Sequence, residues 1–308
     1  MLGAKLDDLV HHATENGYST RFVSNGYWAH TLNHARKRIN RLVSQGLKEA
    51  TFSTGDMHSK YVKPEYVRFG AIACAEAGIP VYVAVEMFKK AAFDLNGFVG
   101  EHYFKKLLDD KKILLTGAPW MKFAGSTEVD YSLKYRESSH ASATGCESIF
   151  ETLAINPSED LIACSGLAFE EIPELHLGSL KTRSMKEIMA SAPADFIKIW
   201  IHVQGPLAVI KYANSIDPSI RVPNESVHIC EHCRSMYRDP NVLRVVWENP
   251  PPDKDEIIAF FNQRSAVKVA SRISDPGWFT ASRKELYADR ARAWTPKEAK
   301  KMLELVKS

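Results

Sequence analysis

Two hydrophobic rhythms alternate along the first 120 residues. Short apolar runs at 20–24, 50–53, 81–85 and 113–116 read as strands. Between them, apolar residues spaced three and four apart read as helices. The stretch from Leu2 to Thr14 sets Leu6, Leu9, Val10 and Ala13 on one side and stops at Asn16-Gly17. The stretch from Leu32 to Ser44 buries Ala35, Ile39, Leu42 and Val43, with Arg36, Lys37, Arg38 and Arg41 on its solvated face. Further helices are predicted over 64–77 and around 103–107. The strands recur about every thirty residues, the length of a βα unit, so the pattern predicts a parallel sheet covered by helices.

Sheets of this kind bind ligands beyond the carboxyl ends of their strands. Here those ends are Ser24-Asn25-Gly26, Ser53-Thr54-Gly55-Asp56, Val85-Glu86 and Thr116-Gly117. Each segment alone is ordinary turn chemistry. Together, Ser24, Asn25, Ser53, Asp56 and Glu86 make a candidate polar rim.

The rhythm changes after residue 124. Residues 125–145, rich in Ser, Thr and Gly, read as a linker. Beyond it, Asn156-Pro157-Ser158-Glu159-Asp160 predicts a turn, Leu161 to Cys164 a strand, and Met185, Ile188 and Met189 the inner face of a helix. A helical stretch over 194–212 is interrupted at Gly205-Pro206, and Pro250-Pro251-Pro252 marks a boundary. Helices are expected over 255–263 and 296–306. The fold class expected is α/β: a partial parallel (βα) barrel over 1–124, then a small α+β cysteine domain over 146–249 and a helical appendage over 250–308.

Composition narrows the function classes. With 45% hydrophobic and 25% charged residues, the chain resembles ordinary soluble proteins. A net charge of +3 gives no argument for nucleic acid. No apolar run approaches the roughly 20 residues of a membrane span. The N-terminus carries no signal-peptide pattern, and an odd number of cysteines, five, fits a reducing cytoplasm better than a disulfide framework.

Four of those five cysteines fall between Cys146 and Cys233. The pair Cys230 and Cys233 is separated by two residues, which lets both thiolates face one centre, and Cys146 and Cys164 are joined by a segment long enough to turn back. Four such thiolates suit zinc or an iron–sulfur cluster. The competing reading is a set of buried free thiols with a chance CxxC. His228 and His232 flank the pair as substitute ligands or, more simply, as supporting or surface residues. Cys74, among small helix formers, reads as a buried structural thiol.

The order of these segments resembles a radical S-adenosylmethionine (SAM) enzyme with a SPASM or Twitch extension. The resemblance rests on the βα units, then Cys146, Asn156 to Cys164, Leu177-Gly178-Ser179-Leu180, Glu187-Ile188 and Cys230-Glu231-His232-Cys233, and covers about residues 1–240. It implies an auxiliary 4Fe–4S cluster on Cys146, Cys164, Cys230 and Cys233, and a SAM-facing role for Ser24, Asn25, Ser53, Asp56 and Glu86. The family's CxxxCxxC and its GGEP-like segment are absent, so the chain is expected to start just before the third barrel strand and to cleave no SAM alone. A partner chain supplying the missing part is the implied complement, and the substrate is unspecified. The alternative function is a non-catalytic iron–sulfur or zinc-binding module that docks on a partner.

Overall fold

The computed structural model describes residues 3–121, 145–191, 195–223, 226 and 228–274. The chain divides into two units, one built on residues 1–120 and the other on most of the remaining chain. The expected linker, apart from Gly145, and the expected helix at 296–306 lie outside the described residues.

The first unit alternates as α1 (Gly3–Glu15), β1 (Thr20–Ser24), α2 (Leu32–Ser44), β2 (Leu47–Thr54), α3 (Asp56–Ser59), α4 (Pro64–Glu76), β3 (Val81–Met87), α5 (Leu95–Val99), α6 (His102–Asp109) and β4 (Ile113–Pro119). Its four strands form one sheet in the order β1-β2-β3-β4, every pair parallel. The α/β class and the parallel sheet expected from the periodicity are therefore present. Helix starts obey local chemistry: the Thr31 side chain accepts from the N–H of His34 to open α2, and Pro64 opens α4.

One face of the sheet is apolar. Phe22, Ala50, Phe52, Val81, Val83, Ile113 and Leu115 share a core with Ala35, Ile39 and Leu42 of α2 and Val67 and Ala71 of α4. The opposite face carries Arg21 and Val23, then Thr51 and Ser53, Tyr82 and Ala84, and Leu114 and Thr116. None of its apolar members, Val23, Tyr82, Ala84 or Leu114, belongs to that core. Val23 is 62% exposed. β2 begins at Leu47, earlier than its apolar run suggests. The reason is Glu49, buried in the strand and paired with Arg21 at 3.6 Å across to β1.

The second unit opens with β5 (Ala154–Ile155), β6 (Asp160–Ile162) and β7 (His176–Ser179), a small antiparallel sheet. The predicted turn sits between β5 and β6, where Asn156 Oδ1 accepts from the N–H of Asp160 at 2.9 Å and Glu159 takes a left-handed backbone (φ 67°). Two 3-10 turns (Phe169–Glu171 and Pro173–Leu175) lie between β6 and β7, and α-helices α7 (Met185–Ser191), α8 (Phe196–Gln204), α9 (Pro206–Ile216), α10 (Ile229–Arg238), α11 (Pro240–Glu248) and α12 (Lys254–Ser274) complete the unit's described elements. The break at Gly205-Pro206 separates α8 from α9, Pro206 serving as the first helical residue. In α7 only Ile188 is fully buried; Met185, expected inside, is 45% exposed. Ile257 of α12 is part of this unit's core beside Ile197, Trp200 and Val245. No described helix is long and apolar enough to cross a membrane.

Candidate functional site

Two places hold the chemistry that the sequence nominates, one in each unit. In the first unit, β2 ends at Thr54 and the chain turns through Gly55 into α3. Gly55 has φ +140°, a conformation that favours glycine, and a Cβ there would lie 2.6 Å from both Cβ and Oε2 of Glu86. Glycine is thus what lets the end of β2 close against the end of β3. The result is a carboxylate with a donor on each oxygen. Met57 N–H donates to Glu86 Oε2 at 2.7 Å, and His58 Nδ1 meets Glu86 Oε1. Glu86 is 3% exposed, whereas the His58 side chain keeps 24% of its surface. The Trp120 indole stands perpendicular to the His58 ring with centroids 6.3 Å apart.

Asp56, beside this pair, accepts from the N–H groups of Ala92 and Phe93 at 2.9 and 3.1 Å and so ties the loop after β3 to the end of β2. The other rim candidates are spent closer to home. Ser24 Oγ accepts from Gly26 N–H at 3.1 Å and from Trp28 Nε1–H at 2.9 Å, and Asn25 Oδ1 accepts from Tyr27 N–H at 3.1 Å. Ser53 lies on the coreless face, in register with Ala84 and, through it, with Thr116. The structure therefore gives Asp56 a loop-tying role, leaves Ser24 and Asn25 in turn roles, and sets His58 and Trp120 beside Glu86. His58 lies three residues beyond Gly55. Its pairing with Glu86, 28 positions on, is announced only by the fact that both sit at carboxyl ends of neighbouring strands.

In the second unit Cys146, Cys164, Cys230 and Cys233 share one neighbourhood. Cys146 N–H donates to Ile201 O at 2.9 Å, Cys164 lies just past β6, and Cys230 and Cys233 occupy successive turns of α10. A Cβ at Gly166 would meet Cys230 Sγ at 3.0 Å and Cys164 Sγ at 3.6 Å. His228 is the N-cap of α10, its Nδ1 accepting from Cys230 N–H at 3.2 Å, and burial holds its pKa down. Burial pushes the thiols the other way. Cys230 rises to about 11 and Cys233 well above its ordinary value, with the neighbouring cysteines adding to each rise. Cys164 and Cys230 are members of the second core, and Cys146 and Cys233 pack against it. Cys74 is likewise buried, in the first core, with its pKa raised by desolvation.

The comparison with known proteins gives no family. No protein-family model matches the chain, and no curated protein matches it. Among the described residues, no group of three or more His, Cys, Asp or Glu side chains is placed to hold a metal ion. These findings overturn the radical SAM resemblance, and with it the SPASM or Twitch assignment and the enzymatic reading drawn from it. The auxiliary 4Fe–4S cluster on Cys146, Cys164, Cys230 and Cys233 falls for the same reason, since a thiolate cluster needs ionised sulfurs gathered on one centre. SAM loses its support as a cofactor together with the family that implied it.

Proposed function

We propose that this chain is a non-catalytic docking module whose sheet receives a strand from a partner chain. The observation that carries the reading is the asymmetry of the parallel sheet. Such sheets ordinarily have both faces covered. Here one face lies in the helical core, while the other keeps Val23 largely open and Ser53, Ala84 and Thr116 half-buried. β1 is one of the sheet's two edges: among the described residues it pairs only with β2. It carries no proline, and its one charged residue, Arg21, is paired inwards with Glu49 of β2.

The partner is a chain that lays an extended segment parallel to β1, with an apolar side chain beside Val23. Main-chain hydrogen bonds along the edge supply the affinity, and alternate side chains supply the choice of partner.

The test places a photo-crosslinking residue at position 23 of the full chain in its own cells and maps the adduct by mass spectrometry. Attachment to one extended segment, with slowed amide exchange over 20–24 and loss of the complex in Val23→Lys, is the expected result. Attachment to a second copy would identify the partner as this same chain. A complex untouched by Val23→Lys, or a chain whose β1 amides never gain protection, would end the proposal.

A further inference from the structure

We infer that the first unit also binds a small organic ammonium ion, with His58 as the acceptor, at the carboxyl ends of β2 and β3. A carboxylate oxygen accepts and does not donate, so the contact between His58 Nδ1 and Glu86 Oε1 places the ring proton on Nδ1. In the neutral ring Nε2 then presents a lone pair. Among the described residues it has no hydrogen-bond partner, although three-quarters of the side chain is buried. A fixed, outward lone pair on a carboxylate-backed imidazole is the arrangement that makes histidine a good acceptor.

The surroundings choose the class of donor. Glu86, buried against His58, and Asp56, at the start of α3, put two carboxylates on this end of the sheet. Their sign opposes an anion and favours a cation that can also donate. Trp120, set perpendicular to the His58 ring, adds an aromatic surface of the kind that attracts ammonium groups. On the same face, Ser53 and Thr116 stand either side of Ala84 in the strand register and put two hydroxyl groups on the face that carries Glu86. A primary ammonium donates one N–H to Nε2 and keeps others for oxygen acceptors. The arrangement is also costly to build. It holds a buried carboxylate at the strand end, and a glycine at φ +140° lets the chain close against it.

The probes are methylammonium and ethanolamine, with ethylene glycol as the neutral control and acetate as the anion, titrated into the full chain. The His58 ring nitrogens are followed by long-range proton–nitrogen NMR. The expected result is a saturable shift of Nε2 with the two ammonium ions only, abolished in His58→Gln, which leaves the Met57–Glu86 bond in place. In Glu86→Gln binding should weaken about tenfold where Nδ1 keeps its proton and be lost where the proton moves to Nε2. An Nε2 signal unmoved by the amines in a folded chain overturns the inference, as does an equal shift with ethylene glycol or binding that survives His58→Gln with the amide spectrum intact.

Discussion

Glu86 and Cys233 are both acids carried into the interior of their units, and the two units treat them in opposite ways. Around Glu86 the chain supplies a donor for each oxygen, and it spends a glycine at φ +140° to bring them there. Around Cys233 it supplies an apolar core and three more thiols, so that burial and neighbouring sulfur both push the group towards its neutral form. Residue type and spacing nominate both places equally well. The environment separates them: one is a polar device with a reachable outer atom, the other a set of thiols packed as hydrophobes.

The largest effect expected from breaking this contrast is at Gly55. Gly55→Ala forces a Cβ onto Glu86 and an L-residue into a conformation it rarely adopts. The strain and the overlap together should cost about 4 kcal/mol. Chemical denaturation should show the loss in the first unit, with amide exchange accelerated over β2 and β3 while the second unit's amides are unchanged. A variant as stable as the parent would mean that the two strand ends do not need to close so tightly.

The next effect belongs to the thiols and is read with pH. A Cys230 pKa raised from 9.0 to about 11 means that the unfolded chain loses its proton first as the pH rises. Stability from this group is therefore complete below pH 9 and is lost between pH 9 and about 11, at about 1.4 kcal/mol per pH unit. Cys233, raised further, keeps the same sign to higher pH. Denaturant midpoints of the second unit should fall over this window, and the slope should flatten in Cys230→Ala. A second unit indifferent to alkali would show that the sulfurs are already ionised, and the contrast with Glu86 would collapse.

The parts of the fold legible in the sequence are those that periodicity governs. β1, α2 and the parallel pairing were readable because each βα unit repeats a strand rhythm and a helix rhythm in fixed order. The start of β2 was not, because Lys48 and Glu49 look like loop residues, and only the ion pair with Arg21 explains a buried glutamate there. Met185 shares the helical spacing of Ile188 yet faces outwards, since spacing defines a face without fixing how wide the buried stripe is. The cysteines do converge, as their order along the chain suggested. Their spacing carried no information about sulfur-to-sulfur geometry or ionisation, the two properties that a metal site requires. Nothing in the local sequence marks His58, because its partner is 28 residues away and the contact is made by the sheet, not by the local chain.

Glu86→Gln sharpens the polar side of the comparison. A glutamine keeps one acceptor and sets an amide donor against either Met57 N–H or the His58 ring, at a cost of about 2 kcal/mol. If the amide faces His58, Nδ1 must become the acceptor and the proton must move to Nε2. Nitrogen chemical shifts of the ring would report that exchange directly. An unchanged tautomer would show that Met57, not His58, faces the new amide.

Asp56→Asn tests the smallest part of the device. Asp56 accepts from two successive backbone N–H groups, Ala92 and Phe93, one on each oxygen. Asparagine retains one of these bonds and turns its own donors towards the other N–H, so the expected loss is about 1 kcal/mol. Because the lost bond anchors a loop and not the sheet, the effect should be local. Amide exchange should quicken at whichever of Ala92 or Phe93 loses its acceptor, while the strands keep their protection and the His58–Glu86 contact its ring shifts. If protection of β3 fell as well, the loop tie would be part of the sheet's closure, and Asp56 would belong with Gly55 among the residues that build the strand-end site.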